Sequence, residues 1–416
     1  MVKTSSRALI SDSTEQLTWT QLLELAHEAP QGVHFLSGGN SVSQAALILA
    51  AALGRCSIIP LSPRLKIADR EDIHNLFAQI SPPTGIFIAT SGSQGKPKLV
   101  HLSPELLSRH AHAVNQHVHL TENDTWLACL PFFHVGGMAI VLRCALAGAG
   151  VRILDNSSAE LVAKNLDTVS LLSLVPTTLR RVLTLRNDIL PDSIRAIILG
   201  GGPVPVDMIR QCPQVLPTYG LTEAGSMVTC SRPGCDDSER LTAGPPIPGA
   251  AVKIVDENGN PVSVNTSGRI LVQSPGAASA YFRNDNETAL TFREGWILTE
   301  DSGFLDELGC LHVLGRIDRI IVSGGENIAL DEIESALRLL PDVRDALCVG
   351  IEDSEWGQSV AAVIESDLPL TLEHVREQLK AHLPSFKLPK QVSVTFKLPL
   401  LPNGKPDYRT ARNLFG

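Results

Sequence analysis

The chain has 416 residues, 44% of them hydrophobic, 19% charged and only 4% aromatic, enough for two or three domains with largely aliphatic cores. Its formal net charge is −9, from 35 Lys and Arg against 44 Asp and Glu. That balance gives no bulk attraction to nucleic acid or to an anionic membrane, so any bound anion has to be held by local groups.

The eight cysteines form no CxxC pair, and Cys230 and Cys235 have no matching His or Cys cluster. Reduced thiols in a cytoplasmic protein are expected from that pattern. Met1 to Ser13 lacks the apolar core of a signal peptide. The longest apolar run, Ala45 to Leu53, stops at Gly54-Arg55. It is far short of the roughly 20 residues that span a bilayer and reads as a buried helix.

Along the chain, Val33 to Leu36 reads as a strand ended by Gly38-Gly39-Asn40, and Ser57 to Leu61 as the next strand after the alanine-rich helix. Gly85 to Ala89 is a further strand, followed by a Gly- and Ser-rich loop. Val151 to Leu154, Leu171 to Val175 and Ala196 to Leu199 continue the series, with helical patterns between them. Such alternation predicts a layered α/β architecture. From about Gly244 short strands and turns take over: Ala251 to Val255, the turn Asp256 to Gly259, and Arg269 to Val272. This predicts a β-rich subdomain on the first domain. Past Gly315-Arg316-Ile317-Asp318 come a helix at Leu330 to Leu340, strands at Ala346 to Ile351 and Val360 to Glu365, and a helix at Leu372 to His382. The expected division is a large N-terminal domain over 1–317 and a small, mobile α+β C-terminal domain over 318–416.

The segment Thr90-Ser91-Gly92-Ser93-Gln94-Gly95-Lys96-Pro97-Lys98 follows a strand. Glycines let backbone N–H groups approach phosphate oxygens, hydroxyls add donors and lysines add charge. It lacks the Gly-Lys-Ser/Thr ending of a Walker loop, and by itself it would also suit a flexible surface turn. Taken with the motifs after it, the segment resembles the phosphate loop of the acyl-adenylate-forming, or AMP-binding, superfamily. The resemblance runs in the family's order from about Val33 to Arg412 and implies the following roles. Thr90, Ser91, Gly92, Ser93, Gly95 and Lys98 would hold ATP phosphates. His134, in Pro131-Phe132-Phe133-His134-Val135-Gly136-Gly137, would gate the acyl pocket; alone, it also suits a packed core histidine. Gly201 and Gly202, in Gly200-Gly201-Gly202-Pro203, would line the adenine and acyl site; alone, they would be only a loop.

In Tyr219-Gly220-Leu221-Thr222-Glu223, the resemblance gives Tyr219 and Gly220 to adenine, Thr222 to the α-phosphate and Glu223 to Mg²⁺, although a lone glutamate in a loop is more often solvated. The residue types suit those tasks, since adenine needs an aromatic face and Mg²⁺ favours oxygen ligands. Asp301 would bind the ribose and Arg316 the ribose or phosphate, and Asp318 would be the hinge; surface salt bridging is the plain reading of all three. Ser323, Gly324 and Gly325 resemble the loop lining the pantetheine tunnel for CoA. Lys405, in Pro402-Asn403-Gly404-Lys405-Pro406, resembles the lysine that stabilises charge during adenylation.

The implied activity is that of an AMP-forming acid–thiol ligase using ATP, Mg²⁺ and CoA, with no nucleic-acid partner, no integral membrane segment and a homo-oligomer as one arrangement. Pro131 to Leu142, Ser173 to Thr177 and the compact length are most similar to family members that activate an aromatic keto-diacid. Its second carboxylate calls for a cation, and Arg143, Arg180, Arg181 and Arg195 are near in sequence, although helix-surface salt bridges are the expected fate of most of them. Another aryl- or fatty-acid ligase, an enzyme loading a separate carrier protein, and a non-catalytic nucleotide-binding relative remain open. Against the family pattern, the stretch from Arg64 to Gly85 is short, Arg269 stands where Glu is common, and Glu300 stands where Gly is common.

Overall fold

The apolar runs of the N-terminal half become strands that are covered on both faces, which is why they read as continuous rather than alternating. The computed structural model describes residues 9–63, 65–91, 97–400 and 406–416, with the backbone alone at Ser91 and Asn327. An eight-stranded sheet runs in the order Ser226–Cys230, Val215–Leu221, Ala196–Leu199, Leu171–Leu174, Thr125–Ala128, Gly150–Ile153, Leu9–Ser11 and Gln16–Thr18. Its middle strands are parallel. A four-stranded sheet holds Val33–Leu36, Ser57–Pro60, Gly85–Ser91 and Pro97–Leu102 in that order.

Side chains alternate across these strands, so the two faces of each sheet enter different cores. Trp126, Val151 and Ile198 of the large sheet join Ile58, Ile86 and Val100 of the small one in a single core. The helices Val42–Ala52, Pro104–His117 and Val135–Ala147 contribute to that core between the sheets. Leu127, Leu172 and Ile197 face the other way, onto Val162, Leu179 and Ile209 of the outer helices. Ile59, Phe87 and Leu99 on the far side of the small sheet meet Ile73 and Phe77. The result is five layers, helices alternating with sheets, as the β-α alternation predicted.

The phosphate segment departs from the expected plain loop. Gly85–Ser91 and Pro97–Leu102 form an antiparallel hairpin with Thr90 opposite Lys98 and Ser91 opposite Pro97. Thr90, Ser91 and Lys98 therefore sit on strands. The second strand, with Pro97, Lys98 and His101, has no apolar alternation to announce it. It survives at the sheet edge, with Pro97 as its first residue, where a missing N–H costs little.

The described chain divides into two compact units. One contains the residues up to Lys253, Leu271–Thr299 and Leu305–His312; the other contains Ile254–Ile270, Glu300–Phe304 and Val313–Gly416. The second unit thus takes in short stretches before residue 318. Its centre is the antiparallel pair Asp345–Asp353 and Gly357–Glu365, with Gln391–Thr395 added in parallel. Ile333 and Leu337 of helix Leu330–Leu337 and Val375 and Leu379 of helix Leu372–Leu379 pack on one sheet face. Leu347, Val349 and Val363 on the other face meet Ala411 of helix Tyr408–Arg412. Both longer helices stop three residues before the sequence pattern does.

Candidate active site

The histidine motif is fixed by a residue far from it in sequence. Asn40 is 6% exposed. Its Nδ2 donates to the Leu130 carbonyl at 2.9 Å, and its Oδ1 accepts from the Phe132 N–H at 2.8 Å. The clamped turn delivers His134 as the N-cap residue of helix Val135–Ala147, where its side chain makes no capping bond. Gly137 is needed here, because a Cβ would lie 2.4 Å from the Pro131 carbonyl oxygen. The sequence read Asn40 only as part of a strand-ending turn; a buried amide holding two backbone groups leaves no local signature.

The helix that follows His134 helps to line a narrow apolar pocket, with Val135, Met138 and Leu142 on one side and Leu107, His110 and Gly225 among the others. Arg143 follows Leu142 on the helix and is 2% exposed. Its Nη2 donates to Ser226 Oγ at 3.4 Å, its guanidinium carbon is 5.6 Å from the Trp126 ring centre, and its Nε has no hydrogen-bond partner. No carboxylate ion-pairs with it among the described residues. Burial pulls its pKa down to about 10, which still leaves it a cation at neutral pH. The neighbouring His110 is held neutral: burial, and then the Arg143 charge, depress its pKa to about 3, while its Nε2 bonds the Met227 carbonyl at 2.8 Å. Three of the four arginines raised by the sequence are placed otherwise. Arg195 pairs with Asp124 at 2.7 Å, Arg180 lies 3.8 Å from Asp207, and Arg181 is exposed on helix Pro176–Leu185.

Tyr219 and Gly220 end the strand Val215–Leu221 where its pairing with Ser226–Cys230 shifts register. A Cβ at Gly220 would lie 2.0 Å from the Ser226 carbonyl oxygen, so glycine alone allows this crossing. Thr222–Ala224 form one 3₁₀ turn, and Ser226 holds a φ of 124°, a costly value for a residue with a Cβ. Gly201 and Gly202 lie in the bend after strand Ala196–Leu199.

The Glu223 carboxylate accepts a hydrogen bond from the Tyr281 hydroxyl, O to O 2.7 Å. Tyr281 is 5% exposed, and the ammonium of Lys98 sits 4.8 Å from its ring centre while pairing with Glu287 at 2.5 Å. Lys98, expected at the phosphates, is therefore committed to an acid in the structure. Tyr281 and Glu287 are positions that the sequence did not raise, and Asn40 was raised only as a turn residue. Among the described residues no group of three or more His, Cys, Asp or Glu side chains is placed to hold a metal ion. A single carboxylate at Glu223 fits Mg²⁺, which takes one or two protein carboxylates and fills its octahedron with water and substrate phosphates.

In the second unit Arg316 forms a two-pronged pair with Asp318, at 3.0 and 3.2 Å. That hydrogen bonding, and beyond it the charges of Asp318, Asp301 and Glu300, raise the Arg316 pKa despite partial burial. Arg269 and Glu300, the two departures from the family pattern, face each other at 3.6 Å, so each supplies the charge that the other calls for. Ser323 pairs with Glu326 across a two-residue turn. Gly324 and Gly325 have φ of 58° and 88°, the left-handed pair that tight hairpins require. Trp356, 43% exposed, packs against Gly324 with Lys390 5.0 Å above its ring. Gly92, Ser93, Gly95 and Lys405 lie outside the described residues.

The sequence matches the AMP-binding enzyme family over residues 83–282 and the AMP-binding enzyme C-terminal domain over 332–405. It is similar to the 2-succinylbenzoate–CoA ligase of Bacillus cereus strain Q1, 34% identical over 319 residues, 75% of this chain and 66% of that protein. The chain thus spans just under two thirds of that relative's length. The 2-succinylbenzoate–CoA ligase of Enterococcus faecalis is 30% identical over 366 residues, 85% of this chain and 75% of the relative. The fold is similar to that of o-succinylbenzoate CoA synthetase from Bacillus subtilis, solved with the acyl-adenylate OSB-AMP. The TM-score is 0.86 at 25% identity, over 99% of this chain and 95% of that one. A complex of the same synthetase with ATP and magnesium gives a TM-score of 0.85 at 25% identity, covering 98% and 96%.

Proposed function

Because the chain belongs to the AMP-binding enzyme family, we propose that it is an ATP-dependent acid–CoA ligase acting on o-succinylbenzoate through an acyl-adenylate, a step of menaquinone biosynthesis. The overall reaction joins o-succinylbenzoate to CoA as a thioester and releases AMP and pyrophosphate. The observation that carries the choice of acid is Arg143, a buried guanidinium without a carboxylate partner among the described residues, which follows Leu142 on the helix and whose charge acts on His110, both of them lining the apolar pocket. A buried cation is costly unless paired. A substrate with an apolar ring and a second carboxylate would complete it, with Ser226 as an added donor.

In the first half-reaction the succinyl carboxylate oxygen attacks the α-phosphorus of ATP, and the bond to pyrophosphate breaks. Thr90 and the residues after it would hold the phosphates. Thr222 would contact the α-phosphate, Tyr219 with the Gly201-Gly202 bend would hold the adenine, and Asp301 and Arg316 the ribose. Mg²⁺ at Glu223 would offset the phosphate charge. Lys405 would stabilise the charge developing at the α-phosphorus. In the second half-reaction, rotation about Asp318 would withdraw Lys405 and present Ser323, Gly324 and Gly325 to CoA. The thiolate then attacks the acyl carbon, the mixed anhydride breaks and AMP leaves.

Lys405→Ala should lower ATP–pyrophosphate exchange by about 10²–10³-fold, the loss typical of one oriented electrostatic donor. Thioester formation from pre-made adenylate should persist. Equal loss in both half-reactions would remove Lys405 from the adenylation role. The reading as a whole is tested by incubating purified protein with Mg-ATP, CoA and o-succinylbenzoate, with benzoate and octanoate as controls, and following AMP and the thioester mass. Product from o-succinylbenzoate alone is expected. Product from benzoate or octanoate instead would keep the reaction and discard the acid. AMP formation without a CoA thioester would redirect the reading to a carrier protein. The eight free cysteines, and the lack of any helix among the described residues long and apolar enough to cross a membrane, support a cytoplasmic enzyme. Light scattering would decide whether it forms a homo-oligomer.

A further inference from the structure

We propose that Tyr281 is a positioning residue for the reaction: its phenol holds one oxygen of Glu223 so that the other faces the metal-bound nucleotide. This rests on the reading of Glu223 as the carboxylate that meets Mg²⁺.

The geometry is built from three parts of the sequence. The Tyr281 hydroxyl donates to Glu223 Oε1 at 2.7 Å across 58 residues of chain. The ring is itself fixed. Tyr281 is 5% exposed, Phe292 packs edge-on at 5.2 Å with an interplanar angle of 70°, and its N–H donates to Thr288 Oγ1 at 3.0 Å. Backbone bonding ties the same stretch to the strand beyond the phosphate segment: Tyr281 bridges Val100, and the Phe282 N–H donates to the Leu99 carbonyl at 2.7 Å. Lys98, on that strand, closes the arrangement by pairing with Glu287 while its ammonium lies over the Tyr281 ring.

A carboxylate on a 3₁₀ turn would otherwise rotate about its last bond. With Oε1 occupied by a neutral phenol, its plane is set and its charge is retained, because the phenol gives a hydrogen bond without supplying a positive charge. The Glu223 backbone is tied down as well, since its carbonyl accepts from the Ala278 N–H at 2.8 Å. The expectation is that metal affinity and geometry, rather than folding, depend on the hydroxyl.

The test is Tyr281→Phe in the full chain, which keeps the ring and its packing. Two readouts are taken: the Mg²⁺ concentration giving half-maximal ATP–pyrophosphate exchange, and Mn²⁺ binding followed by electron paramagnetic resonance in the presence of α,β-methylene-ATP. The expected result is a rise of about 3- to 10-fold in both midpoints, the size of one ordinary net hydrogen bond, with exchange largely recovered at high Mg²⁺ and an unchanged melting temperature. Glu223→Gln is run alongside. If Glu223→Gln shifts both midpoints and Tyr281→Phe shifts neither, the positioning role is overturned and the metal role of Glu223 stands. If Glu223→Gln also leaves them unmoved, the metal reading itself has failed. A Tyr281→Phe protein that melts earlier with unmoved midpoints would make the hydroxyl a purely structural bond and overturn the proposal.

Discussion

Arg143 in the N-terminal unit and Arg319 in the C-terminal unit are both largely removed from water, the first 2% exposed and the second with a side chain 11% exposed. Their surroundings differ completely. Arg319 bonds Asp331 and Glu334, and its guanidinium stacks on Tyr408 at 3.7 Å. Glu334 is shared with Arg338 at 3.2 Å and accepts the Cys348 N–H at 2.8 Å. Every charge in that group has its opposite within the same unit. Arg143 has a distant hydroxyl, an aromatic face and an unpartnered Nε. A structural charge network closes on itself because an unpaired ion in low dielectric is costly. A network that stays open beside a pocket indicates that something else closes it.

Removing an acid from the closed network should have the largest effect. Glu334→Gln leaves Arg319 and Arg338 short of a buried counter-charge and should cost about 3–5 kcal/mol, read by urea unfolding. A loss below 1 kcal/mol would show that the network is solvated and that the contrast with Arg143 is weaker than drawn.

The reverse experiment is Arg143→Met. No acid is orphaned, so stability should hold or improve, as when buried charge is replaced by an apolar group of similar size. Turnover of o-succinylbenzoate should fall by about 10²–10³-fold, as when one partner of a desolvated pair is removed. Binding of Mg-ATP, in which Arg143 has no part, should be spared. A destabilised variant with unchanged acid preference would make Arg143 a structural charge after all.

The smallest effect sharpens the same point through pH. The His110 pKa lies near 3 in the fold, below the roughly 6.5 of a free imidazole. The unfolded chain therefore binds the extra proton first, and stability falls as pH drops from about 6.5 towards 3. Part of that depression comes from the Arg143 charge. In Arg143→Met the fall should level off at a higher pH, so that the total loss across that window is smaller by about 1.4 kcal/mol for each unit of relief. Burial works against the Asp124 carboxylate, but Arg195 and the Thr121 and Ser170 bonds outweigh it and lower its pKa. Its stabilisation is lost only below about pH 4 and equally in both proteins, so it cancels from the comparison. Identical total losses would remove the electrostatic link between Arg143 and His110.

Much of the architecture was legible because it is written locally. Runs such as Leu171–Leu174 and Ala196–Leu199 are buried on both faces and could only be central strands. Gly220 and Gly324-Gly325 mark backbone crossings and turns that no other residue fits, so their motifs stand out without any partner being known. The strand Pro97–Leu102 was not legible, since an edge strand with a proline and a lysine carries no periodic signal. The two C-terminal helices ended early because a pattern of apolar residues runs on into caps and turns.

The sequence by itself determined the order of strands and helices, the two-part organisation and the family to which the motifs belong. Each of those depends on residue types within a few positions of one another. Which charge meets which was decided only by the tertiary structure. Lys98 finds Glu287 189 residues away, Tyr281 finds Glu223 at 58, and Asn40 grips Phe132 at 92, while Arg143 is packed where it meets no carboxylate among the described residues. Hydrogen bonds and ion pairs act over a few ångströms of space, and distance along the chain says nothing about that separation until the layers have packed.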